Sequence, residues 1–405
     1  MTFDVARARR GFPALGRTVD GQQAAYLDGP GGTQVHSSAI EAMSAYMVRG
    51  GSNLGGPFVT STETDVLTDE ARVAVADLFG AMPSEIAFGQ NMTSLTFSVS
   101  RALARTWSAG DNIVLTRLDH DANVSTWTQA AAEAQVEVRF ADFDIASGCE
   151  LTVEAVRRHL DGRTKLVAFT HASNAVGTIT PVADIVAAAH EVGALTFVDA
   201  VHYTPHGLVD VKATGTDFLV ASAYKWFGPH TGCLYGRHDL LESLEAYRLR
   251  PAPAHAPDKW ETGTQSFESL AGVTSAVDYI ASFGTGPDRR ARLVSSYKDI
   301  GAYEAALSSR FLAGVAEMPR VNLFGKTGSE GRTPTFAIEV DGVSSGEVSE
   351  VLGAQGIFVW SGNYYAVEVM KHLNREQDGL VRIGFVHYNT LSEVDRVLGA
   401  IEDLP

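Results

Sequence analysis

Between about Ser84 and Gly236 the chain alternates short β-rich runs with helical patterns. Four of the runs carry no charge: Asn112 to Thr116 (NIVLT), Leu166 to Thr170 (LVAFT), Leu195 to Val198 (LTFV) and Phe218 to Val220 (FLV). Strands of this composition need cover on both faces, the condition of a largely parallel sheet packed between helices. Between the second and third runs, Val182, Ile185, Val186 and Ala189 recur at helical spacing and Gly193 closes the pattern, which makes a βαβ unit. The expected fold class is therefore α/β.

The stretch Pro251 to Pro257 (PAPAHAP) cannot continue a helix and reads as a break. Beyond it come a long helical region, about Ser266 to Met318, a strand at Thr335 to Val340, a helix at Gly346 to Gln355 and a strand at Val381 to Val386. That is the pattern of a smaller α+β unit. The expected division is an N-terminal segment, 1–20, packing on the small unit, a large domain, 21–255, and a small domain, 256–405. The net charge of −16, with no basic cluster beyond Arg7, Arg9 and Arg10, leaves nucleic acid or an anionic membrane little to rest on. A small-molecule substrate fits better. The first residues lack the apolar core of a signal peptide, and no run reaches the roughly 18 apolar residues of a membrane span. Only Cys149 and Cys233 are present, which argues for a reducing compartment. The expected location is the cytoplasm.

Polar residues follow each apolar run, and in open α/β sheets ligands bind beyond the carboxyl ends of the strands. They are Asp119 and His120, then His171, Ser173 and Asn174, then Asp199 and His202, then Ser222, Tyr224 and Lys225. Lys225 lies among Tyr224, Trp226 and Phe227; desolvation there would lower its pKa toward the neutral amine that attacks an aldehyde. A Schiff base with pyridoxal phosphate follows from that chemistry. Its phosphate would need a cradle, which Asn91, Met92 and Thr93 could supply at the start of a helix over Thr93 to Leu103, with Ser222 as a further donor. Its ring nitrogen would need an acid, for which Asp199 is the candidate. No metal is expected.

Asp199 with His202, then Ser222, Tyr224 and Lys225, resembles the class V aminotransferase group of fold-type I enzymes, in its cysteine desulfurase and selenocysteine lyase branch. The resemblance extends to Tyr26-Leu27-Asp28, to Asp119-His120-Asp121-Ala122-Asn123 where the group has Glu-His-His-Ala-Asn, and to His171-Ala172-Ser173-Asn174 with Gly177-Thr178. Glu261-Thr262-Gly263-Thr264 and Arg382 followed by Tyr388-Asn389-Thr390 complete it. It implies a mostly parallel seven-stranded sheet and a homodimer with sites at the interface. By the same resemblance His120 would stack on the cofactor ring, Asn174 and His202 would bond its phenolic oxygen or the substrate carboxylate, and Arg382 would clamp that carboxylate. Thr264 would reach the phosphate in the neighbouring subunit.

Two departures stand out. Desulfurases of this group carry a loop Arg-x-Gly-x-x-Cys; here it reads Trp360-Ser361-Gly362-Asn363-Tyr364-Tyr365, with Tyr365 in place of the cysteine and Trp360 in place of the arginine. Gly55-Gly56 stand where some members have His-Arg. A phenol cannot accept sulfane sulfur, so the expectation is a roomier, less polar pocket, lined by Trp360, Tyr365 and Gly29, and C–S cleavage by β-elimination without a protein persulfide. Transamination or epimerisation would need the same Lys225, Asp199 and Arg382. A serine hydrolase built on Gly342-Val343-Ser344-Ser345-Gly346 with Asp378 and His387 is a rival from another class, but Ser344 with Glu347 also makes a capping box. A non-catalytic cofactor-binding role is the last alternative, against which the pairing of Lys225 with Arg382 weighs.

Overall fold

The structure, a computed structural model, describes residues 3–404; Met1, Thr2 and Pro405, and the domain expectations that fall on them, lie outside the described residues. The strands are β1 (Ile86–Gly89), β2 (Asn112–Thr116), β3 (Glu137–Ala141), β4 (Thr164–Thr170), β5 (Leu195–Asp199), β6 (Phe218–Ser222) and β7 (Gly232–Gly236). They form one sheet in the order β1-β7-β6-β5-β4-β2-β3. Strands β2 to β6 run parallel, and β7 is antiparallel to both neighbours.

Alternate residues of these strands feed two different cores, which is why the runs are apolar throughout. One face sends Ile113, Leu115, Leu166, Phe197 and Val220 against Leu95, Val99 and Trp127 of helices Met92–Ala104 and Ser125–Ala134. The other sends Val114, Val167, Val198, Leu219 and Ala221 against Ile185, Val186 and Ala189 of helix Val182–Glu191. The edge strand β3 is only partly buried and carries Arg139 between Glu137 and Asp161, at 2.8 Å from each, a charged edge that discourages further pairing.

A second sheet holds β8 (Val321–Phe324), β9 (Thr335–Val340), β10 (Trp360–Gly362) and β11 (Leu380–Gly384), antiparallel in the order β8-β9-β11-β10. Phe336, Ile338, Val381 and Ile383 pack there with Phe311, Val348 and Val397 from helices Arg289–Ala316, Ser345–Ala354 and Leu391–Glu402.

The helical region expected over Ser266 to Met318 is two helices, Phe267–Ala281 and Arg289–Ala316. Gly284 lies so close to the Arg292 carbonyl that a Cβ would collide, so the chain turns sharply between them. Phe267–Ala281 packs on helices Ser37–Arg49 and Val59–Phe79, so the core of the first sheet's unit draws on residues beyond the Pro251–Pro257 break. In the other direction, Ala25–Tyr26 pairs with Ile357–Phe358. The short helix Val5–Arg10 is capped by Asp4 and tied at both ends of its face: Arg7 donates to the Ser282 carbonyl at 3.0 Å, and Arg9 to the Tyr388 carbonyl at 2.7 Å. Among the described residues no helix is long and apolar enough to cross a membrane.

Candidate active site

The carboxyl ends of β2, β4 and β6 open on a cavity of about 760 Å³, closed on its other side by β10, the loop after it and Arg382 of β11. A narrower inner extension is lined by Met92, Thr93, Asp199 and His202. The sheet order reverses between β4 and β2, which is where such folds leave a crevice.

A single turn after β6 delivers Lys225 into this cavity, buried, with its ammonium donating to the Pro30 carbonyl. Burial, reinforced by the Arg382 cation and opposed by Asp199 and Asp28, brings its pKa from 10.5 down to about 7. Asp199, the last residue of β5, accepts the Val201 N–H at 2.9 Å, and burial pushes its pKa up to about 6.

His120 sits in the turn after β2. Its Nδ1 accepts the Ala122 N–H at 3.0 Å, so the neutral ring carries its proton on Nε2. Burial, with Lys225 and Arg382 nearby, lowers its pKa to about 4. The ring lies nearly parallel to that of Tyr365, centroids 5.5 Å apart. Beneath it, the wholly buried Asp119 accepts from the Thr116 hydroxyl and, at 2.7 Å, from the Asn123 amide, whose oxygen accepts the Trp127 indole N–H at 2.9 Å. This chain of bonds fixes the turn that carries His120.

Arg382 faces Trp360 across the β10–β11 ladder, so both project from the same side of the second sheet. Its guanidinium is 4% exposed, lies 4.5 Å above the Tyr364 ring and donates to the Asn174 carbonyl at 3.1 Å. Its Nε has no partner, and no carboxylate among the described residues pairs with it. Burial lowers its pKa to about 10, so it remains a cation at neutral pH. The Asn174 amide donates to the Tyr364 carbonyl at 3.1 Å, leaving its own oxygen unpartnered. Tyr364 and Tyr365 both hold left-handed backbone, φ 50° and 58°, a conformation that costs energy for such residues. It is pinned by the Tyr364 hydroxyl on the Leu380 carbonyl and by the Asp121 N–H on the Tyr365 carbonyl at 2.6 Å.

The other expected residues fall into two groups. Met92, Thr93, His202 and Tyr224 line the cavity or its extension; His202 Nε2 stands 3.0 Å from both the Thr333 and Thr335 hydroxyls, and Tyr224 stacks on His230. Ser222 is buried behind them and accepts the Met92 N–H at 3.0 Å, which leaves its own O–H to donate. Five others do not line the cavity. Gly29 packs on Val386 and Gly384, while its neighbours Pro30 and Gly31 face the cavity. Asn91 caps its helix through the Ser94 N–H at 2.9 Å, and with Thr264 it lines a separate cleft of about 590 Å³. Gly55 and Gly56 lie in a loop outside the cavity.

Asp28 was not among the expected site residues. Its carboxyl is raised to about 6 by burial, against its own backbone bond and the pull of Arg382 and Lys225, and one of its oxygens is buried without a partner. The Gly-rich run that follows it brings the Pro30 carbonyl onto Lys225.

The hydrolase constellation is not assembled. The Ser344 hydroxyl bonds Glu347 at 2.7 Å as a helix cap, Asp378 receives the Ser345 N–H at 2.8 Å, and His387 is buried against the Tyr279 hydroxyl at 2.7 Å.

A family model described as aminotransferase class-V matches residues 25–397. The aminotransferase-like protein FGM3 of Gibberella zeae is 31% identical, the alignment covering 99% of this chain and 98% of that one. The probable cysteine desulfurase 2 of Mycobacterium leprae is 30% identical over 98% of this chain and 96% of its own. Among solved structures, an apo cysteine desulfurase from Thermococcus onnurineus has a TM-score of 0.89 at 26% identity, covering 100% of this chain and 99% of that one.

Proposed function

The chain belongs to the aminotransferase class-V family of pyridoxal-phosphate-dependent enzymes, and from that premise we propose that Lys225 holds the cofactor while the surrounding cavity breaks a bond at the α-carbon of an amino acid. The observation that carries this reading is the convergence on one cavity of an amine at about 7, a buried carboxyl and a buried guanidinium with no anionic partner. The residues present fit the cofactor: Lys225 is partly neutral at neutral pH, Asn174 has an unpartnered buried oxygen, and the first turn of helix Met92–Ala104 faces the same inner extension as Asp199. When bound, pyridoxal phosphate supplies an electron-poor ring that stabilises negative charge at the substrate's α-carbon. Asp199, largely ionised at pH 7, would hold a proton on the ring nitrogen. Lys225, poised near neutrality, would take the α-proton and return it. Arg382 would receive the substrate carboxylate in its unfilled donor fork, with Tyr364 beneath it fixing the plane.

Within this reading the reaction is C–S cleavage by β-elimination. Cys149 and Cys233 are both buried away from the cavity, and burial pushes the Cys149 thiol up to about 11 and the Cys233 thiol higher still. Neither supplies a thiolate to accept sulfur. Elimination from an S-substituted cysteine, with water, would yield one thiol, one pyruvate and one ammonium ion. The expected result with a panel of such substrates is pyruvate and thiol in equal amounts. Release of an intact keto acid would instead indicate transamination, and racemisation without products an epimerase; either outcome would sink the elimination.

The same reading includes a homodimer, supported by the exposed Thr264 and the cleft it shares with Asn91, which lie outside the chain's own cavity. Light scattering of the cofactor-loaded protein is expected to give twice the chain mass. A loaded, folded monomer would overturn this element.

A further inference from the structure

The outer wall of the cavity combines aromatic faces with one carboxylate. Phe97, Trp360 and Tyr365 line it, together with the His120 ring, which burial keeps neutral at pH 7. The cations that reach the cavity, Lys225 and Arg382, are both buried at its base. Asp121 is the single carboxylate lining the outer cavity. One of its oxygens accepts the Ser125 hydroxyl at 2.7 Å, and among the described residues nothing donates to the other. Its position is fixed, because its N–H is held by the Tyr365 carbonyl at 2.6 Å in the loop with left-handed backbone at Tyr364 and Tyr365.

A negative group framed by electron-rich ring faces attracts a cation twice over, through an ion pair and through the ring quadrupoles. It repels an anionic side chain, and it offers a neutral one only uncharged contacts, from the rings and from the polar groups of Ser125, Thr126, Ser361 and Asn363. Resting on the reading that an amino acid binds with its carboxylate at Arg382, we infer that the side chain of the substrate ends in a positive charge, which Asp121 receives among the aromatic rings. Asp121 is then a specificity-determining residue, remote from the bond that breaks.

The inference is tested with two matched pairs of ligands that differ in charge and hardly in shape: L-lysine against L-2-aminoheptanoic acid, and S-(2-aminoethyl)-L-cysteine against S-propyl-L-cysteine. Binding of the first pair, which has no C–S bond to break, is measured by calorimetry on the cofactor-loaded protein, and binding of the second pair is compared by KM. The cationic member of each pair is expected to bind at least about tenfold more tightly, which corresponds to about 1.4 kcal/mol. Asp121→Asn should reduce that ratio to about two or less, leaving the affinity for the neutral members unchanged. Salt should weaken the cationic members selectively. Equal or better binding of the neutral members, or a preference that survives in Asp121→Asn, overturns the inference while the amino-acid reading stands. Binding of no amino acid from either pair overturns both.

Discussion

Lys225→Ala is expected to fold, to keep the sheet and cavity intact, and to lose at least ~10³-fold in kcat/KM, a loss of about 4 kcal/mol in transition-state stabilisation. The size of the effect follows from the double use proposed for one atom. The Nζ that joins the cofactor aldehyde is the same atom that moves the α-proton, and among the cavity-lining residues no second amine could replace it. Absorption of the bound cofactor should change in the variant, and an added primary amine should restore part of the rate. Stability offers an independent readout. Folding takes this lysine from an ordinary pKa of 10.5 down to about 7. A cation disfavoured in the folded state opposes folding in full below about pH 7, and the opposition fades as pH rises toward 10.5. Without cofactor, the parent protein should therefore gain stability relative to Lys225→Ala as pH is raised through that window. A variant that turns over amino acids at near-parent rates would remove Lys225 from the mechanism, and a stability difference that does not change with pH would contradict the burial argument.

Much of this site was legible before any coordinates because the residues concerned sit where a pattern ends. Asp199 closes LTFVD, and Lys225 follows FLVAS by one turn; once the apolar runs are read as buried parallel strands, the residues after them must gather at one edge of the sheet. What could not be read was everything that depends on long-range packing. The Pro30 carbonyl meets Lys225 across 195 residues of chain, and His202 meets Thr335 across 133. No local period records such encounters. Asp28 enters the sequence reading only within Tyr26-Leu27-Asp28, with no role in the site, because its burial under the influence of Arg382 and Lys225 depends on the same long-range packing. Which residue of the Gly29–Gly32 run faces the cavity also depends on packing: Pro30 and Gly31 line it. Ser222 accepts the Met92 N–H, a long-range contact that no local pattern records, and this leaves its own O–H to donate. The helical region over Ser266 to Met318 is legible from its pattern, while the turn that divides it into two helices is fixed by a close approach of Gly284 to Arg292.

Arg382→Lys is the second large expected effect, because it keeps the charge and still removes the clamp. A guanidinium offers a planar fork of donors that matches a carboxylate, and its flat face rests 4.5 Å above Tyr364. In the parent this fork is only partly used: one arm donates to the Asn174 carbonyl at 3.1 Å, and Nε donates to nothing. A buried cation that no carboxylate hydrogen-bonds, with only the electrostatic pull of Asp28, is costly, and the proposed substrate carboxylate is what relieves it. A lysine ammonium at the same place loses the paired hydrogen bonds and the stacking. Burial would also draw its pKa down from the usual ~10.4 toward neutrality, so part of the charge itself would go. The expected loss is ~10²-fold in kcat/KM, about 2.7 kcal/mol, carried mainly by KM, with the cofactor still bound on Lys225. A substrate analogue lacking the carboxylate should discriminate poorly between parent and variant, since it never used the fork. If Arg382→Lys stays within threefold of the parent on amino-acid substrates, the carboxylate is bound elsewhere, and Asp28, Asn174 and Tyr364 would then need another reason to surround this arginine.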